Sequence, residues 1–135
     1  MFNSLDSLRL GKKDSRKVLL KSFRYKLFKH MKKYAEERGI LLDIINGVED
    51  HVHCLLRLKT TQCVADIIRE IKGESSFWVN RKIILDTKFE WQKGYGVFSV
   101  SPDDINRIRK YIYNQELHHQ GQTYNQEVNN LIKTK

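Results

Sequence analysis

The stretch from position 40 to 58, ILLDIINGVEDHVHCLLRL, contains two apolar runs separated by turn-forming residues. Asn46-Gly47 between such runs is a strong β-hairpin signal, because both residues tolerate the positive φ of tight hairpin turns. We predict one strand over Ile40–Ile45 and a returning strand over His51–Leu58. Alternation on the returning strand separates a histidine face from an apolar face: His51, His53, Leu55 and Arg57 against Val52, Cys54, Leu56 and Leu58. The apolar face should pack on helices, and the histidine face should look toward a cleft or a partner helix.

The segments around this hairpin predict helices and one further strand. Between Ser15 and Arg38 apolar residues recur every three or four positions, and Gly39 is a suitable C-cap. Val64–Ile84 shows the same periodicity. Gly94–Val100 has the apolar composition of a strand, and Pro102 begins a helix that we expect to run to His119.

The predicted order is helix, strand, strand, helix, strand, helix. With one more strand at the start, this order gives an α+β ferredoxin-like sandwich: an antiparallel sheet with helices on one face, followed here by a C-terminal tyrosine-bearing helix. The first strand is doubtful, because Phe2, Leu5 and Leu8 are spaced by three instead of alternating. We assign residues 1–135 to a single domain and expect the polar tail at 121–135 to fray.

Charge is the main compositional signal. The 135 residues include 25 Lys and Arg against 16 Asp and Glu, a formal net charge of +9. Such an excess favours a polyanionic partner, either nucleic acid or an anionic membrane surface, although an indifferent basic surface has the same composition. No apolar run reaches the ~18 residues of a membrane span, and no signal segment follows Met1. With two cysteines and no disulfide framework, we expect a cytoplasmic protein.

His51 and His53 are the first candidates for chemistry. Neutral imidazoles side by side form half of a site for a divalent ion, although a His-apolar-His strand motif is more often structural or coincidental. Glu49 and Asp50 could orient an imidazole by hydrogen bonding to its far nitrogen.

The C-terminal helix supplies a candidate nucleophile. Tyr111 and Gln115 stand one turn apart on one face, and a metal with a hydroxyl nucleophile suggests phosphoryl transfer. Tyr113 is the rival, but it projects roughly 200° round the helix from Tyr111 and would not share a face with Gln115. His118 and His119 return near the Tyr111 face, where they could touch phosphate or simply end the helix.

Three segments, taken together and in this order, resemble the IS200/IS605-type single-tyrosine transposases of the HUH endonuclease class. They are NGVEDHVH at 46–53, FEWQKGYGVFS at 89–99 and YIYNQELHH at 111–119. The resemblance implies that His51, His53 and Gln115 hold Mg²⁺ or Mn²⁺. It also implies that Tyr111 attacks single-stranded DNA, leaving a 5′-phosphotyrosine and a free 3′-hydroxyl.

The same resemblance implies partners. Family members recognise DNA hairpins and work as homodimers in which the tyrosine helix of one subunit completes the site of the other. Candidate DNA contacts lie on the basic first helix and among the aromatic residues of the second matching segment: Lys17, Lys21, Arg24, Trp91 and Tyr95. A solvated basic face and core burial of Trp91 are the alternatives.

Competing functions are a DNA-hairpin binder that has lost its chemistry and two kinds of histidine hydrolase. A histidine-triad nucleotide hydrolase needs a third histidine on the same strand face, where this chain has Leu55. A two-histidine phosphoesterase needs a second His-x-Ser/Thr motif, which the sequence does not contain. The hairpin binder therefore remains the main alternative, because an altered first strand would threaten the sheet that carries His51 and His53.

Overall fold

A computed structural model describes residues 2–11, 21–48, 51–82, 88–91 and 93–115, with the backbone alone for 2–11, 21 and 22. Its elements, in chain order, are β1 (Phe2–Gly11), α1 (Lys21–Glu37), β2 (Leu41–Gly47), β3 (His51–Lys59), α2 (Val64–Lys82), β4 (Gly96–Val100), a 3-10 turn (Pro102–Asp104) and α3 (Ile105–Tyr113). The strands form one antiparallel sheet in the order β2-β3-β1-β4. The predicted ferredoxin-like α+β fold is confirmed.

The expectation of a doubtful first strand is wrong, because β1 lies in the centre of the sheet and pairs with both β3 and β4. A register shift between Phe2 and Leu5 absorbs the first three-residue spacing, whereas Leu5 and Leu8 pair regularly with Arg57 and Cys54. Beyond the shift, Leu8 pairs with Cys54 and Leu10 with Val52, so alternation resumes in register with the apolar face of β3. Backbone pairing on two sides stabilises a strand whose side-chain pattern is irregular.

The sheet has two covered faces. On the first, α1 and α2 pack against the apolar face of β3 in one cluster that includes Leu27, Ile68 and Val52. On the opposite face, α3 packs Ile108 and Ile112 against Leu55. The apolar face of β3 therefore meets two helices and the histidine face meets the third, as the alternation predicts.

Two predicted elements differ in detail from the structure. Asn46-Gly47 does not form the hairpin turn, because Gly47 still pairs with Val52 and the chain reverses after it. The helix expected from Pro102 to His119 begins as a 3-10 turn and is interrupted at Asn114, where φ is −98° and ψ is 26°; its predicted end lies outside the described residues. Within the described residues, no helix is both long enough and apolar enough to cross a membrane.

Candidate active site

His51 and His53 form the centre of the site. Both side chains are buried, and their rings meet edge to face with centroids 5.2 Å apart. Two imidazoles bound to one ion through metal–nitrogen bonds of about 2.1 Å would bring their centroids to roughly 4.6 Å at a right angle and roughly 5.3 Å at a tetrahedral angle. The observed 5.2 Å lies within this range and is also an ordinary distance for an edge-to-face ring contact.

α3 covers this face of the sheet and is held there by apolar packing and an ion pair. Ile108 and Ile112 are buried against Leu55. Toward β2, Arg109 donates two hydrogen bonds to Asp43, at 2.8 and 2.7 Å. The hydrogen bond from Arg109 is the largest cause of a lowered pKa for Asp43, which is therefore ionised at neutral pH.

The last turn of α3 is attached to β2 by one amide side chain. Asn46 Nδ2 donates to the carbonyl oxygens of Ile112 and Tyr113, each at 3.0 Å, while its Oδ1 accepts from the Gly47 N–H at 2.9 Å. In the β2–β3 ladder Asn46 is paired with His53. The end of the tyrosine helix is therefore fixed beside the histidine pair.

Gly47 has a steric reason to be glycine. A Cβ there would stand 2.4 Å from the carbonyl oxygen of His51 and 2.9 Å from the Cα of Val52. Any larger residue would push the start of β3 away, and His51 would move with it.

The two tyrosines of α3 have different surroundings. Tyr111 is half-buried and packs against the cluster formed by α3 and Leu55, whereas Tyr113 is 73% exposed. The prediction that the two project in different directions is confirmed. Gln115 is fully buried, and the non-helical geometry of Asn114 lies between it and Tyr111, so the two are not separated by one regular helical turn.

The donor set fits a divalent ion. His51 Nε2 and Gln115 Oε1 are both shielded from solvent. Among the described residues, no three His, Cys, Asp or Glu side chains form a group able to hold a metal. A third ligand taken from the described residues would therefore be of another type, and an amide oxygen such as that of Gln115 is suitable for Mg²⁺ or Mn²⁺.

Two of the candidate DNA contacts are core residues. Trp91 is buried, stacks edge to face on Phe89 and donates its indole N–H to the Ser75 hydroxyl at 2.8 Å. Arg24 is also buried, with its guanidinium 5.7 Å from the centre of the Tyr25 ring. This burial argues against base stacking by Trp91 and leaves Arg24 little surface for a phosphate.

Tyr95 is half-exposed and has a cationic neighbour that sequence reasoning missed. Lys72 Nζ lies 5.8 Å from the Tyr95 ring centre and donates to the carbonyl of Gly94 at 2.6 Å. Burial lowers the pKa of Lys72. An exposed aromatic ring beside an ammonium group is a suitable surface for an unpaired base and its phosphate.

Several predicted residues fall where the structure gives no side chain. Glu49, Asp50 and Lys17 lie outside the described residues, as do His118, His119 and the tail at 121–135. Lys21 is the first residue of α1, and the structure describes only its backbone.

Comparison with known proteins gives a consistent result. The family described as "Transposase IS200 like" matches residues 9–115. A candidate transposase from Deinococcus radiodurans R1 has a TM-score of 0.67 at 23% identity, over 85% of this chain and 92% of that one. A REP-associated tyrosine transposase bound to a REP hairpin has a TM-score of 0.67 at 19% identity, over 88% of this chain and 70% of that one. No curated protein is a significant sequence match.

Proposed function

We propose, since this chain belongs to the IS200-like transposase family, that it cleaves and rejoins single-stranded DNA through a covalent bond to Tyr111. One observation carries the proposal. The histidine face of the sheet is covered by the helix that bears Tyr111, and Gln115 is buried just beyond the end of that helix. A histidine pair, an amide and a tyrosine hydroxyl are thus supplied by one chain.

In the proposed reaction the Tyr111 oxygen attacks the scissile phosphorus. A bond forms between that oxygen and phosphorus, the bond from phosphorus to the 3′-oxygen breaks, and the tyrosine proton is lost while the 3′-oxygen gains one. The phosphotyrosine keeps the energy of the phosphodiester, so the reverse attack by a 3′-hydroxyl rejoins DNA without a nucleotide cofactor.

His51, His53 and Gln115 would hold Mg²⁺ or Mn²⁺. The chemistry that such an ion supplies when bound is polarisation of the phosphate and stabilisation of the charge that builds on it. The protein's part is to keep the three ligands buried and in place, because a fixed ligand set needs no rearrangement when charge develops.

The proposed substrate is single-stranded DNA that carries a hairpin. The formal charge of +9 favours a polyanion. One protein of the same fold, the REP-associated transposase, is bound to a hairpin. Tyr95 with Lys72 is our candidate contact for an unpaired base next to the hairpin.

The catalytically inactive hairpin binder becomes the weaker alternative. It was favoured by an altered first strand, and β1 is instead paired on both sides in the centre of the sheet. The sheet that carries His51 and His53 is therefore complete among the described residues.

Formation of a DNA adduct tests the proposal. The protein is incubated with Mn²⁺ and hairpin-bearing single-stranded oligonucleotides drawn from the DNA that flanks its gene, and denatured products are separated by electrophoresis. We expect an adduct with the natural protein and with Tyr113→Phe, and none with Tyr111→Phe or in the presence of EDTA. An adduct lost only in Tyr113→Phe would overturn the assignment of the nucleophile; hairpin binding with no adduct from any form would support the inactive binder.

A mixing experiment tests how many chains make one site. The resemblance predicts a homodimer with exchanged tyrosine helices, whereas the packing of α3 on its own sheet favours a site made by one chain. Tyr111→Phe and His53→Ala are each expected to be inactive alone. Restored adduct formation in their mixture would establish the exchanged dimer, and continued inactivity would support the single-chain site.

A further inference from the structure

We propose that Asn46 is a positioning residue for this site, which sets the end of the tyrosine helix against the histidine pair. This role rests on the proposed function: Asn46 would act on the candidate metal ligands through the backbone of α3. Asn46 lies 66 and 67 positions before the two residues whose carbonyls it binds, so it joins two parts of the site that are remote in the chain.

The hydrogen bonds of Asn46 meet a need of the helix end. The last four carbonyls of an α-helix have no partner inside the helix. In α3, the Asn114 N–H is donated to the carbonyls of Lys110 and Ile112, and Asn46 donates to the carbonyls of Ile112 and Tyr113. Asn46 therefore acts as a C-terminal cap supplied by a neighbouring strand.

This cap lies where it can control the candidate metal ligands. Asn46 is the cross-strand partner of His53. On its other side, it binds the carbonyl of Tyr113, and the chain then bends at Asn114 before the buried Gln115. The Asn46 side chain thus connects β2, the strand paired with that of the histidines, to the chain just before Gln115.

α3 needs such an attachment because it is short. The uninterrupted part of α3 before Asn114 has nine residues, fewer than the roughly 12–15 at which an isolated helix becomes even marginally stable. The ion pair between Arg109 and Asp43 holds the middle of the helix, and Ile112 packs on Leu55. At the end of the helix, the Asn46 side chain donates hydrogen bonds to two carbonyls, those of Ile112 and Tyr113.

The chemistry of the side chain explains why asparagine suits this position. Aspartate could still accept from the Gly47 N–H, but it has no donor for the two carbonyls and would bring a negative charge to the negative end of the helix. Alanine would lose all three hydrogen bonds. Asn46→Asp removes only the hydrogen bonds to α3, whereas Asn46→Ala also removes the hydrogen bond from Gly47, so the two variants distinguish these contacts.

Asn80 provides a matched control. Its side chain also makes two hydrogen bonds to backbone, donating to the Phe89 carbonyl at 3.0 Å and accepting from the Phe89 N–H at 2.8 Å. Those bonds connect α2 to the segment after it and do not involve α3. Asn80→Ala should therefore cost similar stability without disturbing the metal site.

The experiment compares the full chain with Asn46→Ala, Asn46→Asp and Asn80→Ala. Mn²⁺ affinity is measured by titration without DNA, and hydrogen exchange of the α3 amides is measured without metal. The affinity for the DNA hairpin and the rate of adduct formation at saturating oligonucleotide are then measured. Circular dichroism checks that each variant is folded; should Asn46→Ala unfold, Asn46→Asp carries the test, because it keeps the Gly47 contact.

We expect both Asn46 variants to bind Mn²⁺ about tenfold or more weakly, within the range seen when a group that orients metal ligands is removed. Exchange at the end of α3 should accelerate and the adduct rate should fall, while hairpin affinity stays unchanged. Asn80→Ala should match the natural protein in all four measurements.

Three other outcomes would distinguish failure of the positioning role of Asn46 from failure of the proposed function. Natural Mn²⁺ affinity and natural exchange in both Asn46 variants would overturn the positioning role, while leaving the proposed function intact. Equal loss of Mn²⁺ affinity in Asn80→Ala would also overturn it, because the effect would then come from general destabilisation. Failure of the natural protein to bind Mn²⁺ or form an adduct would overturn the proposed function itself.

Discussion

Truncation of Ile112 tests whether α3 is held on the histidine face of its own sheet. The side chain of Ile112 is fully buried and packs in one cluster with Leu55, Val100 and Ile108. Ile112→Ala removes three buried carbons, worth roughly 2.4 kcal/mol at about 0.8 kcal/mol each. A residual cavity adds to this, so we expect the free energy of unfolding to fall by about 2.5–4 kcal/mol.

The assay is urea unfolding followed by circular dichroism. With a slope of about 1.5–3 kcal/mol per molar urea, a loss near 3 kcal/mol lowers the midpoint by roughly 1–2 M. Tyr113→Ala is the matched control, since it is the adjacent residue of the same helix and is 73% exposed. Its effect should stay within about 0.5 kcal/mol.

The second part of the test repeats the urea unfolding at several protein concentrations. If α3 packs on its own sheet, the midpoint shift of Ile112→Ala is the same at low and high protein concentration. A loss below about 1 kcal/mol, or a loss no larger than that of Tyr113→Ala, would refute the packing argument. A shift that depends on concentration would instead indicate that the helix docks on a second copy.

Three further predictions concern single contacts. Asp43→Asn should cost about 0.5–1 kcal/mol at neutral pH, because its ion pair with Arg109 is partly exposed. The pKa of Asp43 is lowered in the fold, so its contribution to stability is fully present above the ordinary carboxyl pKa and is lost as pH falls through the lowered pKa. Unfolding of the natural protein and of Asp43→Asn is measured from pH 7 to pH 2. The difference between their free energies of unfolding should disappear in acid. Trp91→Phe should destabilise the protein by about 1–3 kcal/mol and leave hairpin affinity unchanged; reduced affinity in a fully folded variant would place Trp91 at the DNA after all. Gly47→Ala should cost about 1–3 kcal/mol and weaken Mn²⁺ binding, because its Cβ would displace His51; unfolding and Mn²⁺ titration check both, and natural values would contradict the steric argument.

The histidine site was accessible from sequence because it depends on local periodicity. Alternation along β3 is enough to put His51 and His53 on one face, and their rings are in contact in the structure. The helical period was equally sufficient to separate Tyr111 from Tyr113, of which the second is exposed. Both predictions follow from the period of a single strand or helix and do not depend on which elements pack against it.

Predictions that depended on exposure were less successful. Arg24 lies on a helix rich in lysine, and a charge pattern alone does not reveal that one cation of a basic helix is buried. Trp91 lies in a segment with no regular period, and its burial depends on Ser75, a partner 16 positions earlier. Burial is a property of the packed elements, so local sequence constrains it weakly.

What the sequence by itself determined is the order and type of the elements after β1, the two faces of β3 and the candidate residues for metal binding and for attack on phosphate. Only the tertiary structure decided that β1 is a central strand, because its stabilisation comes from backbone pairing with β3 and β4 and not from its own side-chain pattern. Only the tertiary structure decided that Asn46 serves the tyrosine helix: the sequence marks it as a turn residue, while its hydrogen bonds reach carbonyls more than sixty positions away. Periodicity is local and can be read along the chain, whereas strand pairing, burial and capping across elements depend on contacts that exist only after the chain has folded.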